Sequence, residues 1–424
     1  MKDFNRSLCL LMILALLLGS ILLGGCGKTP EPPADPVEPE LTAADPEASL
    51  AEPEPVEAEP EPENIYLEDY REFWEILEND YPYLPYLETR YPNLNETRES
   101  FEAVAAQTDN VDDFIKLLHT VCRRLGNFAH LNVIEPGFYQ YCYAACVNDQ
   151  EQSENAGLIP YREALTDPTI SSVYQPAPAD YAQEKSVQLP EVEVRYYEDC
   201  DALLLVINTF DYAVVERDRT VLTDALTQYP NTKHIIFDIR QNGGGDTTYW
   251  WQNLVEPLGG NRSNYFERMY YRDTPRITPF FSYFDSVPVS ELEDVPDWVE
   301  ELKLDRCILT EHDTESVPST NVDPLPGSDA KRWVIVGQTV YSSAEAFTIF
   351  CKCTGWATVV GSTTGGDGIG VSPVFVKLDN TGVLIRFTAH VGENPSTGLP
   401  SAYGGTVPDH SGGLETCLKL IRGE

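Results

Sequence analysis

The sequence predicts an α/β fold preceded by a small helical region. Three observations carry that expectation. Short apolar runs at 202–210 (ALLLVINTF), 235–239 and 333–336 have the length and branched-chain content of buried strands. Segments of helical periodicity, at 212–229 and 342–351, stand between or after them. Glycine and serine clusters follow the strands directly, at the carboxyl ends where ligands gather in α/β sheets.

Taken from the amino terminus, the chain begins with Lys2 and Arg6, a nearly unbroken apolar run over 8–23, and then Leu23-Gly24-Gly25-Cys26. The run is short for a membrane span, and small residues before a cysteine suit cleavage. The segment resembles a bacterial lipoprotein signal over 1–25, which would leave Cys26 lipidated; an uncleaved anchor helix is the alternative. Residues 29–63 hold ten prolines and twelve acids with no Lys or Arg. Self-repulsion and proline stiffness keep such a stretch extended, so 26–63 is expected to be a lipidated cysteine plus spacer rather than an acidic binding arm. The expected location is the extracytoplasmic face of the cell membrane, with membrane contact through the lipid only.

From Asn64 the chain becomes globular. Tyr66, Tyr70, Phe73, Trp74 and Leu77 recur at helical spacing, and Asn110 opens a second pattern with Phe114, Leu118, Val121 and Leu125 on one face. These define an expected helical domain over 64–136. The stretch 137–195 is weakly patterned and shows no clear PDZ signature. The α/β core is expected over 196–424, with further strands at 358–360, 371–378 and 383–388.

The 424 residues carry 29 Lys+Arg against 68 Asp+Glu, a formal net charge of −39. A polyanion of this size is repelled by phosphate backbones, which excludes nucleic acid as an expected partner. Of 10 cysteines, eight lie beyond Cys26. Their spacing lacks a second pair at zinc-ligand distance, so no metal is expected, and thiol pairing is not readable from spacing.

Two clusters carry chemistry. In Asp238-Ile239-Arg240-Gln241-Asn242-Gly243-Gly244-Gly245, glycines let backbone N–H groups face a cleft and suit an oxyanion, although a bare turn has the same composition. In Val340-Tyr341-Ser342-Ser343-Ala344-Glu345, a serine sits where a strand meets a helix, beside first-turn amides that favour negative charge. Ser342-x-x-Glu345 also reads as a capping box, which needs no catalysis.

Taken in order, Asp238-Ile-Arg-x-Asn-x-Gly-Gly, Thr339-Val-Tyr-Ser342-Ser-Ala-Glu345, Gly361-Ser-Thr-Thr-Gly-Gly-Asp-Gly368 and Gly405-Thr-Val-Pro408-Asp409 resemble the S41 peptidases, which include the tail-specific (C-terminal processing) proteases and the tricorn core. The resemblance covers about 196–424. It implies a ClpP/crotonase-like β-α core, α+β in overall class, behind an N-terminal helical domain. It also implies a serine-type endopeptidase acting on peptides or proteins without a cofactor.

By the same resemblance Ser342 is the nucleophile, and the Gly244 and Ser343 amides form the oxyanion hole. The lysine base of the tail-specific branch is absent: Thr364-Gly365-Gly366-Asp367-Gly368 places an aspartate there. The tricorn-like branch takes a histidine from the helical region, and Leu125-Gly126-Asn127-Phe128-Ala129-His130 resembles that context, which makes His130 the expected base. No acid stands just before Gly405, so Glu393 is the expected orienting carboxylate, with Asp367 as the other possibility. A catalytically inactive lipoprotein of the same fold that binds peptide or apolar ligand, and a scaffold or adhesion lipoprotein, are the competing functions.

Overall fold

The computed structural model describes residues 64–148, 155–179, 181, 188–259, 264–313, 327 and 329–424. The leader, Cys26 and the spacer lie outside the described residues. Among the described residues no helix is long and apolar enough to cross a membrane.

The first helix, α1 (Ile65–Asn79), is capped by Asn64, whose Oδ1 accepts from the Tyr66 amide at 2.9 Å. It buries Tyr70, Phe73, Trp74 and Leu77 along one stripe, each such burial contributing about 1.5–3 kcal/mol. Helices α2 (Leu84–Arg90) and α3 (Leu94–Ala105) follow, then α4 (Val111–Arg124), which Asn110 caps through the Asp113 amide at 2.9 Å. Arg123 and Arg124 face the negative end of the α4 dipole. A short strand, β1 (Asn132–Val133), leads into α5 (Pro136–Tyr143) and α6 (Ile159–Thr166), so the weakly patterned stretch is largely helical where described.

The remaining strands are β2 (Glu193–Tyr197), β3 (Ala202–Val206), β4 (His234–Asp238), β5 (Asn264–Tyr271), β6 (Ser286–Pro288), β7 (Arg306–Asp313), β8 (Lys331–Val336), β9 (Thr358–Gly361), β10 (Val374–Lys377), β11 (Leu384–Phe387), β12 (His390–Glu393) and β13 (His410–Ser411). Helix α7 (Val215–Gln228) joins β3 to β4, α8 (Ser343–Thr354) joins β8 to β9, and α9 (Leu414–Arg422) closes the chain. A six-stranded sheet has the order β13-β9-β8-β4-β3-β2, parallel except for β2. Alternate residues explain its unbroken apolar runs. Leu203, Leu205, Ile235, Phe237, Val334 and Val336 pack toward α7 and α8, whereas Leu204, Ile236 and Ile335 pack toward Cys417 and Leu418 of α9. Both faces are therefore covered, as a parallel sheet requires.

Two further sheets were not legible as such. The segments expected as strands at 371–378 and 383–388 do not extend the parallel core. They pair antiparallel as β10 and β11, with β1 on the far side of β11. Only six residues separate them, too few for a parallel crossover. The third sheet, β12-β5-β7-β6, draws three of its strands from 264–313, where no continuous apolar run marks them. One hydrophobic cluster joins the α1–α6 region to these two sheets, with members from Tyr70 to Tyr174 and again from Met269 to Ala402. The helical region thus shares its core with strands more than 200 residues away. Of the eight described cysteines six are buried, and Cys200 and Cys353 are partly exposed.

A buried carboxylate fastens that shared core. Asp69 on α1 is fully buried and accepts from the Thr381 amide at 2.7 Å, the Asn380 amide at 3.0 Å and Asn380 Nδ2 at 2.8 Å, in the turn between β10 and β11. Hydrogen bonds to a charged acceptor contribute about 1.5–3 kcal/mol each, and an orphaned partner costs more than the bond itself. Asp69→Ala is therefore expected to destabilise the protein by about 2–4 kcal/mol, read as a lower denaturant midpoint; an unchanged midpoint would remove the anchor role.

Candidate active site

Ser342 occupies the junction between β8 and α8 with φ 54° and ψ −128°, a left-handed conformation that a residue with a Cβ adopts only under strain. Its amide donates to the Gly366 carbonyl at 3.1 Å, and Tyr341 bridges Gly366 as an isolated parallel pair. These bonds to the glycine loop 365–368 hold the backbone in that turn. The capping box expected as the bland alternative does not form. Ser342 makes no side-chain cap, and Glu345 turns away to accept from the Thr406 amide at 2.9 Å and the Thr406 hydroxyl at 2.8 Å. Glu345 therefore ties α8 to the Gly405-Thr406 motif and leaves the serine hydroxyl uncommitted to a cap. Burial pushes the Glu345 carboxyl up to about 7, against the hydrogen bonds from Thr364 and Thr406 that pull it down.

His130 lies in a tight turn after α4. Asn127, Ala129 and His130 all have positive φ, at 48°, 46° and 60°, a cost of roughly 1–2 kcal/mol for each residue with a Cβ. Two outside bonds hold the turn: Tyr81 Oη donates to the Phe128 carbonyl at 2.7 Å, and the Thr388 amide donates to the Ala129 carbonyl at 2.8 Å. The imidazole is buried, with Nδ1 2.7 Å from Asp367 Oδ2 and 3.0 Å from Thr388 Oγ1. Nε2 has no hydrogen-bond partner.

Asp367 is also left-handed, at φ 58°, inside its glycine run. Its amide donates to the Ser401 carbonyl at 3.0 Å, and the next amide, of Gly368, donates to Ser401 Oγ at 3.0 Å. A side chain at Gly368 would bring a Cβ to 2.5 Å from the Ala346 amide nitrogen and 2.6 Å from Glu345 Cγ, so only glycine lets the loop lie on the start of α8. Besides His130, Asp367 Oδ2 accepts from Tyr341 Oη at 2.8 Å and Thr388 Oγ1 at 3.3 Å. Burial pushes the Asp367 carboxyl up, but His130 and Tyr341 outweigh it and hold the group below its ordinary value. Burial lowers the His130 imidazole, and Asp367 only partly offsets that. The pair is thus a carboxylate beside a neutral imidazole, with the Nδ1 proton toward the acid.

His130, Ser342, Ser343, Asp367 and Thr388 line one cleft, together with Thr247, Trp250 and Ile369. Ser343 is the first residue of α8, so its amide has no carbonyl to bond within the helix. Gly244 lies against the nucleophile turn: a Cβ there would sit 3.0 Å from Ser342 Cβ and 3.1 Å from the Ser343 nitrogen. The expectation that Gly244 supplies a convergent donor is corrected by its amide, which donates to Asn242 Oδ1 at 2.9 Å within the turn. An Asx turn has captured it.

The expectation for Glu393 is also corrected. Its carboxylate meets Tyr270 Oη at 3.3 Å and Arg268 at 4.0 Å on the β5–β12 pair, while Asp367 holds the imidazole. Strand β12 commits Glu393 to that neighbour. Among the other histidines, His119 faces Glu135 at 3.6 Å and His234 accepts from Trp333 Nε1 at 3.1 Å. His390 lines the cleft, but its Nε2 is 3.2 Å from the Ile369 carbonyl, and burial takes its imidazole down to about 4. Tyr341 and Thr388 went unmarked in the sequence. Tyr341 stood inside a motif read for its serine, and Thr388 ends a strand with no signal of its own.

Residues 201–411 match the profile described as Peptidase family S41. Among solved structures, a candidate peptidase from Parabacteroides merdae ATCC 43184 is 16% identical, with 84% of this chain and 96% of that chain covered and a TM-score of 0.49. Mature CPAF complexed with lactacystin is 13% identical, with 85% and 99% covered and a TM-score of 0.48. A lipoprotein from Streptococcus agalactiae is 12% identical, with 87% and 99% covered and a TM-score of 0.46. No curated protein matches the chain.

The buried Glu345 gives a stability prediction. With its folded value raised to about 7 from 4.5, the folded state keeps a proton that the unfolded state has released, so stability is lost as pH rises through that window. Glu345→Gln keeps an acceptor and removes the charge. Its stability relative to the parent is expected to improve by on the order of 2 kcal/mol between pH 5 and pH 8. Denaturant melts at both pH values measure this, and a gap that does not move with pH would show that Glu345 is ionised throughout.

Proposed function

Because the chain belongs to peptidase family S41, we propose that it is a serine-type peptidase with Ser342 as nucleophile, His130 as base and Asp367 as the acid that orients the base. The observation carrying this reading is the buried contact of 2.7 Å between His130 Nδ1 and Asp367 Oδ2, in the same cleft as a strained serine at a helix start. A neutral imidazole whose Nδ1 proton faces a carboxylate presents Nε2 as the proton acceptor.

In this reading a peptide enters the cleft and Ser342 Oγ attacks the scissile carbonyl. The hydroxyl proton passes to His130 Nε2, and Asp367 stabilises the resulting imidazolium. The Ser343 amide and the positive end of α8 face the oxyanion as it forms. Collapse of the tetrahedral intermediate returns the proton to the leaving amine, and water repeats the sequence to free Ser342. The Gly244 amide can join the oxyanion site only by leaving Asn242. A site with no acid beside its histidine would favour a non-catalytic binding role, and Asp367 in contact with His130 supports the catalytic one.

The test is digestion of a proteome-derived peptide library, followed by mass spectrometry. Ser342→Ala and His130→Ala are expected to lower cleavage by about 10²–10⁴-fold. Cleavage that survives Ser342→Ala sinks the nucleophile, and no cleavage by the parent, with peptide still bound, favours the binding lipoprotein. The base must be neutral to act, so kcat/KM should fall only as pH drops through a value below the ordinary 6.5. An acid limb above 6.5 would contradict the buried neutral imidazole.

We also place the protein at the extracytoplasmic face of the cell membrane, held by a lipid on Cys26 and set off by the spacer. The support is the basic start, the apolar run and Gly25-Cys26. Cys26→Ala is expected to move the protein from the detergent-extracted membrane fraction to the soluble or precursor form on fractionation, and unchanged membrane retention would point to an uncleaved anchor.

A further inference from the structure

We propose that Thr388 and Tyr341 form a two-hydroxyl clamp that positions the acid and base, an inference that rests on the peptidase reading above. Thr388, immediately after β11, touches three parts of the site. Its amide holds the Ala129 carbonyl at 2.8 Å, its Oγ1 lies 3.0 Å from His130 Nδ1, and the same hydroxyl donates to Asp367 Oδ2 at 3.3 Å. Tyr341 donates to that carboxylate oxygen at 2.8 Å, and its ring centroid lies 5.0 Å from that of His130.

The chemistry follows from the donor count. One carboxylate oxygen, Asp367 Oδ2, receives three donors from three separate segments. A carboxylate held by His130 alone could rotate about its Cβ–Cγ bond and lose the short contact. Two hydroxyl donors fix the plane of the acid, and the fixed acid keeps the proton on Nδ1 and the lone pair on Nε2. His130 needs such a clamp because its own backbone is strained at φ 60°. Tyr341 also couples the acid to the nucleophile. It precedes Ser342 in the chain and bridges Gly366, the residue before Asp367, whose carbonyl takes the Ser342 amide. Movement at the acid is therefore transmitted to the serine over a very short path.

The experiment uses the full-length protein and an alkyl fluorophosphonate probe, which reports on Ser342 without a known substrate. The Ser342 Oγ–P bond forms as the P–F bond breaks, the hydroxyl proton goes to His130 Nε2, and fluoride leaves. Thr388→Val and Tyr341→Phe are each expected to lower the limiting labelling rate by about 10–100-fold while the probe affinity stays within about 3-fold, because binding does not use the base. Thr388→Ser restores the hydroxyl and is expected to recover the rate to within about 3-fold. In an Asp367→Ala background, Tyr341→Phe should change the rate by less than about 3-fold and Thr388→Val by less than in the parent, since Tyr341 acts through the acid alone whereas Thr388 also touches His130. Undiminished effects in that background, or a normal rate for both single variants, would overturn the clamp and leave the peptidase reading standing. A parent protein that does not label at Ser342 would overturn both. Should Thr388→Val fail to fold, Thr388→Ser and Tyr341→Phe carry the comparison.

Discussion

Burial of the Asp367 carboxylate is the constraint on which the rest of the site depends. An ionised carboxylate taken out of water is expensive unless donors surround it. The donors here come from His130, Tyr341 and Thr388, which lie in three segments separated by up to 258 residues. Supplying them requires that the turn after α4, the start of α8 and the end of β11 meet at one point. The shared hydrophobic cluster between the helical region and β10–β12 brings two of those segments together, and the parallel sheet delivers the third.

Strain is concentrated at that same point. Ser342, Asp367, His130 and Ala129 all hold left-handed backbone without being glycine. Such conformations persist only where surrounding structure over-determines them. The Ser401 bonds to the Asp367 loop, the Thr388 bond to Ala129 and the Gly366 bond to Ser342 are that over-determination. Glu345 contributes from behind by fastening α8 to Thr406, so the Gly405-Thr406-Val407-Pro408-Asp409 segment serves the site through architecture. Asp409 accepts from the Val359 amide at 2.9 Å and pairs with Lys352, which anchors the other end of the segment.

The elements with a strong local signal were legible. Asn64 and Asn110 marked helix starts because a side-chain oxygen can satisfy first-turn amides wherever the helix later packs. The runs around Leu204 and Ile236 marked buried strands because both faces of a parallel sheet are covered. Strands β5 and β7 were not legible, since polar residues that keep some exposure, Glu267 and Arg268 in one and Thr310 and Glu311 in the other, break the apolar run. The capping-box reading of Ser342 failed for a related reason. Glu345 had a local partner by spacing and a better distant one in Thr406.

The amino-acid order sufficed to mark the motif serine, the strand-to-helix junction that holds it, the histidine after α4 and the S41 family, because each is written in a few adjacent residues whose geometry is local. It put Glu393 ahead of Asp367 as the orienting acid, and it gave Gly244 a donor role that Asn242 has taken. Those outcomes depend on which groups meet across hundreds of residues. Hydrogen-bond reach is about 3 Å, a length that spacing along the chain does not encode and that packing of α1–α6 against β10–β12 sets.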